Sequence, residues 1–304
     1  MKVILVDIPV GLIETSNMSV YLNKALQVHD EQVTHHKLVN ELNTTLPGSK
    51  TFSLGLLYLA SVLREEGHQV VYLMKDDSQF DESLSYHIID AKAILFSCKT
   101  TTYPQALLIA NAVKEKNPHI ITIFGGPHPT ALPDEVAAEE AVDIVSIGEG
   151  EETIKELAEC IEKNKSYSNV RGIAFISDRT HEFVLTPDRP LCDLAFVPEP
   201  AYDLLPGHIS DYHIYVETGR GCLHNCSFCA NPILWKRKVR RFSPERVYKR
   251  LKNLSEQLPT GTLVHIVDPA FGFMEQDEKL CKMLIENPVS LRFSCDMCAG
   301  NVNE

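Results

Sequence analysis

Three cysteines lie close together in a glycine-containing stretch of the second half of the chain. Cys222, Cys226 and Cys229 are separated by three and two residues, in a segment that reads ETGRGCLHNCSFC from residue 217. Thiolates at this spacing can converge from one loop on a single centre, and sulfur ligands favour soft metals and iron–sulfur clusters. Three ligands for a four-iron cluster leave one iron with an open position, which suits chemistry on a bound molecule better than electron storage.

A zinc site is the alternative for these thiols. Cys226 and Cys229 form one C-x2-C pair, and Cys295 and Cys298 form another. The two pairs are separated by far more than the roughly 15–20 residues of a compact zinc ribbon, which makes zinc the weaker interpretation. An auxiliary cluster is a further alternative for the second pair. Its position on a predicted strand favours buried thiols over cluster ligands. The cysteines interpreted as core or incidental residues are Cys98, Cys160, Cys192 and Cys281.

The composition is that of a folded protein kept in a reducing compartment. The 304 residues are 44% hydrophobic and 23% charged, which excludes a disordered or collagen-like chain. The net charge of −12 argues against a nucleic-acid or anionic-membrane surface. No apolar run approaches the roughly 18 residues of a membrane span. Residues 1–10 read as a strand and not as a signal peptide, so a cytoplasmic protein is expected, whose cysteines are metal ligands or buried thiols and not disulfides.

The first half of the chain alternates apolar runs with helical patterns. Helices are predicted at Leu54–Glu66, which ends before Gly67, and at Tyr103–Lys116, which ends before Pro118. The predicted strands are Val3–Ile8, Val70–Met74, Ala93–Ser97, Ile120–Phe124 and Ile144–Ile147. This order, with runs apolar enough to be buried on both faces, predicts a doubly wound parallel sheet. Ligands of such sheets lie at the C-terminal ends of the strands.

Two glycine-bearing loops follow the last two of these strands. One reads FGGPHPT over residues 124–130, and the other reads GEGEET over residues 148–153. Paired glycines allow positive φ and a close approach of the backbone to a ligand, although each loop by itself is equally consistent with a plain tight turn. A third connection, 12–48, is unusually long and is a candidate cap of the crevice, with a helix predicted at Val20–Val28. Its histidines, interpreted as surface residues, are His29, His35 and His36.

A proline-rich segment leads into the second half. Residues 165–211 are predicted to form a hairpin, Gly172–Ser177 with Glu182–Thr186, and then a linker. The elements predicted after it are the strands Ile214–Glu217, Leu263–Val267 and Ser290–Asp296 and the helices Pro244–Gln257 and Gln276–Glu286. At about 30 residues per β/α unit, these elements make about half of a barrel. We therefore expect a fragment of a longer protein, a split enzyme whose barrel a second chain completes, or a relative that has lost catalysis.

The cysteine segment resembles the cluster loop of the radical S-adenosylmethionine (SAM) superfamily, including Phe228 just before the last cysteine. The rest of the chain is similar to one large subfamily, in which a cobalamin-binding domain precedes this loop. The segments that carry this second resemblance are 53–56, 67–70, 97–102, 125–130 and 148–151 in the first half, 189–190 and 200–203 in the linker, and 240–244 after the cysteines. The resemblance therefore covers nearly the whole chain in order.

The resemblance implies that the three cysteines ligate a 4Fe–4S cluster whose fourth iron binds SAM, with further SAM contacts at Phe228 and Asp268. It places the cobalamin contacts at Ser53, Thr100, Thr101, Gly125, Gly126, His128, Gly148, Glu149 and Gly150. Proteins that ligate cobalt through histidine carry a D-x-H-x-x-G motif. Here the D-x-H of residues 211–213 is followed by Val216 at the glycine position, so we expect His128 to order its loop and not to bind cobalt.

Two features of the second half allow both a functional and a structural interpretation. Asp268 follows an apolar run at the C-terminal end of a predicted barrel strand, where functional residues cluster. A helix N-cap is an equally good interpretation of this aspartate. The basic run Lys236–Arg241 beside Trp235 suggests nucleic acid, but in an acidic chain it favours a solvated turn or a few cations near SAM or a cofactor phosphate.

These observations predict an α/β protein in three parts. Residues 1–164 form a flavodoxin-like (Rossmann-like) cobalamin-binding domain, 165–211 a linker with a β-hairpin, and 212–304 an incomplete (βα) radical SAM barrel. The resemblance implies a cobalamin-dependent radical SAM enzyme, in first place a C-methyltransferase that cleaves SAM to a 5′-deoxyadenosyl radical. The alternatives are a radical cyclase or rearrangement enzyme, and a non-catalytic protein that binds cobalamin and a cluster. The expected partners are a small-molecule or peptide substrate and an external electron donor, with no nucleic acid.

Overall fold

A computed structural model gives the fold of residues 1–9, 50–269 and 271–297. The predicted helix Val20–Val28, the three histidines of its connection and Cys298 lie outside these described residues. Within the described ranges, no helix is both long enough and apolar enough to cross a membrane. A large sheet in the first half and a small parallel sheet in the second carry the architecture.

The large sheet has seven strands in the order β2-β1-β3-β4-β5-β6-β7. The strands are β1 (Lys2–Asp7), β2 (Gln69–Met74), β3 (Ala93–Ser97), β4 (Ile121–Gly125), β5 (Ile144–Ser146), β6 (Ile173–Ile176) and β7 (Phe183–Leu185). β1 to β5 are parallel, which confirms the predicted doubly wound sheet. β6 and β7 form the predicted hairpin, which pairs antiparallel with β5 and so extends the sheet instead of standing apart in a linker.

Helices cover both faces of this sheet. They are α1 (Leu54–Glu65), α2 (Phe80–His87), α3 (Tyr103–Lys116), α4 (Pro127–Ala131), α5 (Pro133–Ala137) and α6 (Glu151–Glu162). Successive side chains of β1 point to opposite faces, as the strand geometry requires. Val3 and Leu5 pack in the core with α1 and α6, whereas Ile4 and Val6 pack in the core with α2 and α3. A continuous apolar run in the sequence is therefore explained by burial on both sides.

Local sequence signals set the ends of several helices. Ser53 caps α1, because its Oγ accepts a hydrogen bond from the N–H of Leu56 at 3.4 Å, and Gly67 follows the helix with a φ of +79°. Both predicted glycine loops are shorter than expected, since α4 begins at Pro127 and α6 at Glu151. Proline is favoured in a first helical turn, and the helix dipole stabilises acidic side chains there.

The second half contains a small parallel sheet in the order β12-β11-β8 and an antiparallel ribbon of two short strands. Its elements are β8 (Ile214–Val216), β9 (Gly219–Arg220), α7 (Asn231–Trp235), β10 (Arg240–Arg241), α8 (Pro244–Gln257), β11 (Thr262–Ile266), α9 (Glu275–Glu286) and β12 (Leu291–Cys295). One hydrophobic core runs through both halves, from Leu56 of α1 to Val264 of β11 and Leu280 of α9. Packing therefore fixes the small sheet against the large one.

The proline-rich connection lies along α1 and is tied to it. Ser61 donates a hydrogen bond to the carbonyl oxygen of Glu199 at 2.6 Å, and the N–H of Ala201 donates to that of Leu57 at 3.1 Å. The Glu199 carboxylate also accepts hydrogen bonds from Arg250 of α8. The connection thus joins helices of the two halves and is not a free tether.

Candidate functional site

A cleft of about 320 Å³ lies at the C-terminal ends of the strands of the large sheet. Small residues at these strand ends form one wall: Ser97 ends β3, Gly125 ends β4 and Ser146 ends β5. The opposite wall comes from the second half and includes Trp235 and Val267. The cleft therefore has the position expected for a ligand of a doubly wound sheet, and it is bounded by the half that bears the cysteine loop.

Glycines bring the backbone close to its neighbours along this cleft. Gly126 has a φ of +96°, and a Cβ atom there would lie 2.9 Å from the backbone of Cys98. A Cβ atom at Gly150 would lie 3.2 Å from the side chain of Leu59. Gly148 has a φ of +76°, a conformation that residues other than glycine rarely adopt. Larger residues at these positions would strain the backbone or narrow the cleft.

The structure brings together most of the predicted cobalamin contacts. Those that line the cleft are Ser53, Gly125, Gly126, Gly148, Glu149 and Gly150. The predicted contacts outside this lining are Thr100, Thr101 and His128. His128 Nδ1 lies 3.3 Å from Thr100 Oγ1, and the imidazole packs on the ring of Tyr103 with centroids 4.3 Å apart. Burial lowers the pKa of His128, so its ring is neutral at neutral pH, and its contacts attach it to the start of α3.

Protein groups engage both oxygens of the Glu149 carboxylate. Oε1 accepts hydrogen bonds from Arg220 at 2.9 Å and Arg240 at 2.8 Å. Oε2 accepts them from Arg240 and from the N–H of Cys192, both at 2.8 Å. Burial raises the pKa of Glu149, but the hydrogen bonds from Arg240 and Arg220 outweigh it and hold the pKa below its usual range. The carboxylate is therefore ionised. Both of its oxygens are hydrogen-bonded to protein groups, although the residue borders the cleft.

The cysteine loop begins directly after β9. Gly221 has a φ of +97°, and a Cβ atom there would lie 1.8 Å from the carbonyl oxygen of Lys238, so only glycine fits. Cys222 is 8% exposed, Cys226 is exposed and Cys229 is half-buried. The N–H of Cys229 donates to the carbonyl oxygen of Cys226 at 3.1 Å, which closes a turn between the second and third cysteine.

The three cysteines lie in one loop, from residue 222 to residue 229. Among the described residues, no group of three or more His, Cys, Asp or Glu side chains is placed to hold a metal ion. Phe228, the predicted adenine contact, lies on this loop and is 92% exposed. Its ring is therefore accessible to a bound molecule.

Asp268 lies buried beside the residues that lead into the cysteine loop. Its Oδ1 accepts hydrogen bonds from the N–H groups of Thr218 at 2.9 Å and Gly219 at 3.1 Å, and its Oδ2 accepts one from the Thr218 hydroxyl. Arg241 Nη1 lies 3.3 Å from Oδ2. Burial raises the pKa of Asp268. The N-cap interpretation is wrong, because the next helix, α9, begins only at Glu275.

The basic run after Trp235 turns back sharply towards β10. Lys236 and Arg237 have φ values of +51° and +56°, which cost free energy for residues other than glycine. Lys236 is half exposed and pairs with Asp188 at 2.7 Å, as expected for a solvated turn. The guanidinium of Arg240 lies 5.7 Å from the centroid of the Trp235 ring, which lines the cleft. Part of the run therefore shapes the site.

Arg220 was not predicted as a site residue, and Arg240 and Trp235 were predicted only as part of the basic run. The local signal for Arg220 is its position between two glycines and two residues before Cys222. Its partner Glu149 is 71 residues away in the chain, so no periodicity or spacing could pair them.

One stretch of the chain matches a known protein family. Residues 42–158 match the family described as the B12 binding domain. An uncharacterized methyltransferase of Pyrococcus horikoshii is 32% identical over 212 residues, which are 66% of this chain and 45% of that protein. An anaerobic magnesium-protoporphyrin IX monomethyl ester cyclase of Synechocystis is 26% identical over 240 residues, which are 72% of this chain and 48% of that protein.

The fold also resembles that of a solved structure. This is TsrM, a radical S-adenosylmethionine methyltransferase from Kitasatospora setae, with cobalamin and a [4Fe-4S] cluster bound. The TM-score is 0.66 at 15% identity, over 94% of this chain and 52% of that chain. The chain thus spans about half the length of the relatives it matches.

Proposed function

We propose that the chain is a B12-binding-domain protein of the cobalamin-dependent radical SAM superfamily and that it functions as a C-methyltransferase. Cobalamin is assigned to the cleft, and a 4Fe–4S cluster to Cys222, Cys226 and Cys229. One observation carries the proposal: a single cleft is bounded by the glycine loops of the B12-binding domain on one side and by the half that bears the cysteines on the other.

The residues of the cleft fit a large ring system with an apolar body and polar edges. Side chains such as Leu59, Leu95 and Ile123 supply apolar surface, and Ser97 and Ser146 supply hydroxyl groups. Binding sites of this kind combine a mostly apolar lining with a few polar groups that fix orientation. The glycines at 126, 148 and 150 leave room for a close approach of the backbone.

The donor set of the cysteine loop fits an iron–sulfur cluster with one open position. Thiolates are the ligands that such clusters use, and three of them leave one iron for another molecule. Cys226 is exposed, so the loop is accessible to cluster assembly. The exposed ring of Phe228 lies in the same loop and is available to stack on an adenine.

The chain's own residues hold the two sites in position. When bound, the cluster supplies one-electron cleavage of SAM and cobalamin supplies a transferable methyl group. Residues 218–220, which precede the first cysteine, form the stem of the cysteine loop. Asp268 fixes this stem by accepting hydrogen bonds from two of its backbone N–H groups. Arg220 anchors the same stem to Glu149 at the border of the cleft. Trp235 gives the cleft an aromatic wall on the side of the second half.

Methyl transfer is the favoured reaction because the relative from P. horikoshii, named a methyltransferase, is 32% identical to this chain. Radical cyclisation is the second candidate, supported by the cyclase relative, which matches 72% of the chain. Product analysis with a candidate substrate separates the two, because a methyl transfer adds one carbon to the product whereas ring formation adds none.

We also propose a cytoplasmic protein that works with an external electron donor on a small-molecule or peptide substrate. All the described cysteines are free thiols, which suits a reducing compartment. In the order β12-β11-β8, β12 is an edge strand among the described residues. An edge strand offers unpaired backbone groups to a further strand, so a second chain that completes the barrel would pair there.

Anaerobic purification tests the assignment of the cofactors. The wild-type chain, reconstituted with iron and sulfide and with added cobalamin, is expected to show absorption bands of both groups and to form 5′-deoxyadenosine from SAM under reducing conditions. Cys222→Ala should abolish iron binding and SAM cleavage but leave cobalamin bound. Cys281→Ala, which removes an exposed thiol of α9, is the matched control. A colourless wild-type protein that holds zinc would contradict the proposal.

A further inference from the structure

A buried ion-pair network joins the border of the cleft to the stem of the cysteine loop. Glu149 lies between Gly148 and Gly150, which line the cleft, and its carboxylate binds both Arg220 and Arg240. The two arginines sit opposite each other in the β9–β10 ribbon. Glu149 therefore spans the two halves of the molecule at the point where the proposed cofactor sites meet.

The Glu149 carboxylate offsets the repulsion between the arginines of the two strands of the ribbon. Arg220 and Arg240 are cross-strand neighbours, and like charges in that position repel each other. Glu149 binds Arg240 through both of its oxygens and shares one of them with Arg220. A bidentate contact of this kind fixes orientation as well as distance. The carboxylate thus sets the geometry of the ribbon from which the cysteine loop departs.

Burial makes the network sensitive to the loss of any one member. The side chains of Glu149 and Arg220 are each 5% exposed, and Arg220 also pairs with Glu151 at 2.7 Å and Glu217 at 2.9 Å. Removal of one partner of a buried ion pair leaves a charge that water cannot solvate. The network therefore favours one complete arrangement, in which the cleft border and the stem of the cysteine loop are both in place.

We propose that Glu149 is a positioning residue that couples the two sites, so that occupation of either one favours occupation of the other. This inference rests on the proposed function. Cobalamin bound in the cleft would lie against the loop that carries Glu149, and a cluster on the three cysteines would order the loop that Arg220 anchors. Binding of cobalamin and binding of the cluster both require the same arrangement of the ion-pair network. The ligand that binds first orders the network, so the second ligand binds at a lower free-energy cost. Such coupling is reciprocal by thermodynamic necessity.

Titration with aquacobalamin under anaerobic conditions tests the coupling. The dissociation constant is measured for the reconstituted chain and for the same chain stripped of iron by a chelator. In the wild type we expect cobalamin to bind at least about 5-fold more tightly when the cluster is present, the lower end of typical coupling. In Glu149→Gln the ratio of the two dissociation constants should fall to about 1, whatever the affinity of each form for cobalamin.

Glu156→Gln is the matched control, because Glu156 also forms a bidentate pair with an arginine, Arg189, but on the exposed face of α6. It should keep the wild-type ratio. Arg240→Lys is the second variant: it retains the charge but loses the bidentate contact, so it decides the matter even if Glu149→Gln does not fold. The electron paramagnetic resonance spectrum of the reduced cluster should change on cobalamin addition in the wild type and in Glu156→Gln, and not in Glu149→Gln or Arg240→Lys.

The outcomes separate this inference from the proposed function. A wild-type ratio near 1, or a ratio that survives in both network variants, overturns the coupling while cobalamin and iron binding stand. A wild-type chain that binds neither cobalamin nor iron overturns both.

Discussion

The carboxyl group of Asp7 should make the stability of the protein depend on pH. Asp7 ends β1 and is 4% exposed, and its Oδ2 accepts hydrogen bonds from the N–H of Ser53, at 2.6 Å, and from the hydroxyl of Tyr72. Burial dominates over these contacts and raises the pKa of Asp7 from 3.8 to about 6. Because Ser53 caps α1 and lines the cleft, the same contact fixes one edge of the site.

The sign of the effect follows from where the proton binds more tightly. The pKa of Asp7 is higher in the folded than in the unfolded protein, so binding of the proton stabilises the fold. This stabilisation is complete at pH values below the unfolded pKa near 4, and it is lost as the pH rises through the folded pKa of about 6. A shift of about 2 units, at roughly 1.4 kcal/mol each, corresponds to about 3 kcal/mol. Asp7→Asn removes the titration but keeps both contacts, because both donors meet one oxygen and an amide oxygen has two lone pairs.

Urea unfolding of the wild type and Asp7→Asn, measured from pH 4 to pH 8, tests this reasoning. As the pH rises from about 4 to 7.5, the free energy of unfolding of the variant minus that of the wild type should increase by about 3 kcal/mol. Asp178→Asn, at an exposed position of the β6–β7 hairpin, controls for the loss of a negative charge. A difference between wild type and Asp7→Asn that stays constant over the whole pH range would refute the argument.

Three further substitutions test the site. Gly221→Ala should lower the iron bound after reconstitution, because its Cβ would meet the Lys238 carbonyl oxygen; Gly261→Ala, which shares a positive φ but has no described atom within 4 Å of the Cβ position, should retain iron. Asp268→Asn should reduce the free energy of unfolding by about 1.5 kcal/mol, because the buried guanidinium of Arg241 loses one of its two carboxylate partners and keeps the other, Asp277; a loss below about 0.5 kcal/mol in urea unfolding would contradict this. Ser53→Ala should cost about 1 kcal/mol in the same assay through loss of the helix cap, and no measurable loss would show that the cap does not matter.

Local patterns in the sequence determined the elements that carry the site. The runs Val3–Val6 and Ala93–Phe96 are apolar throughout, as expected for strands buried on both faces, and the structure has a parallel sheet there. The spacing of the cysteines identified their loop because ligands from one loop must be near in sequence to reach one centre. These features depend on neighbouring residues and can be read without knowledge of the fold.

Tertiary structure alone decided what the charged residues do. Nothing in the order of residues connects Glu149 with Arg240, which are 91 residues apart, yet they form a bidentate pair at the border of the cleft. Asp268 suited a helix cap or a SAM contact equally well, until the fold placed it against the backbone of Thr218. Ion pairs and buried carboxylates depend on distance in space and on desolvation. Both are fixed only when the two halves pack on one core.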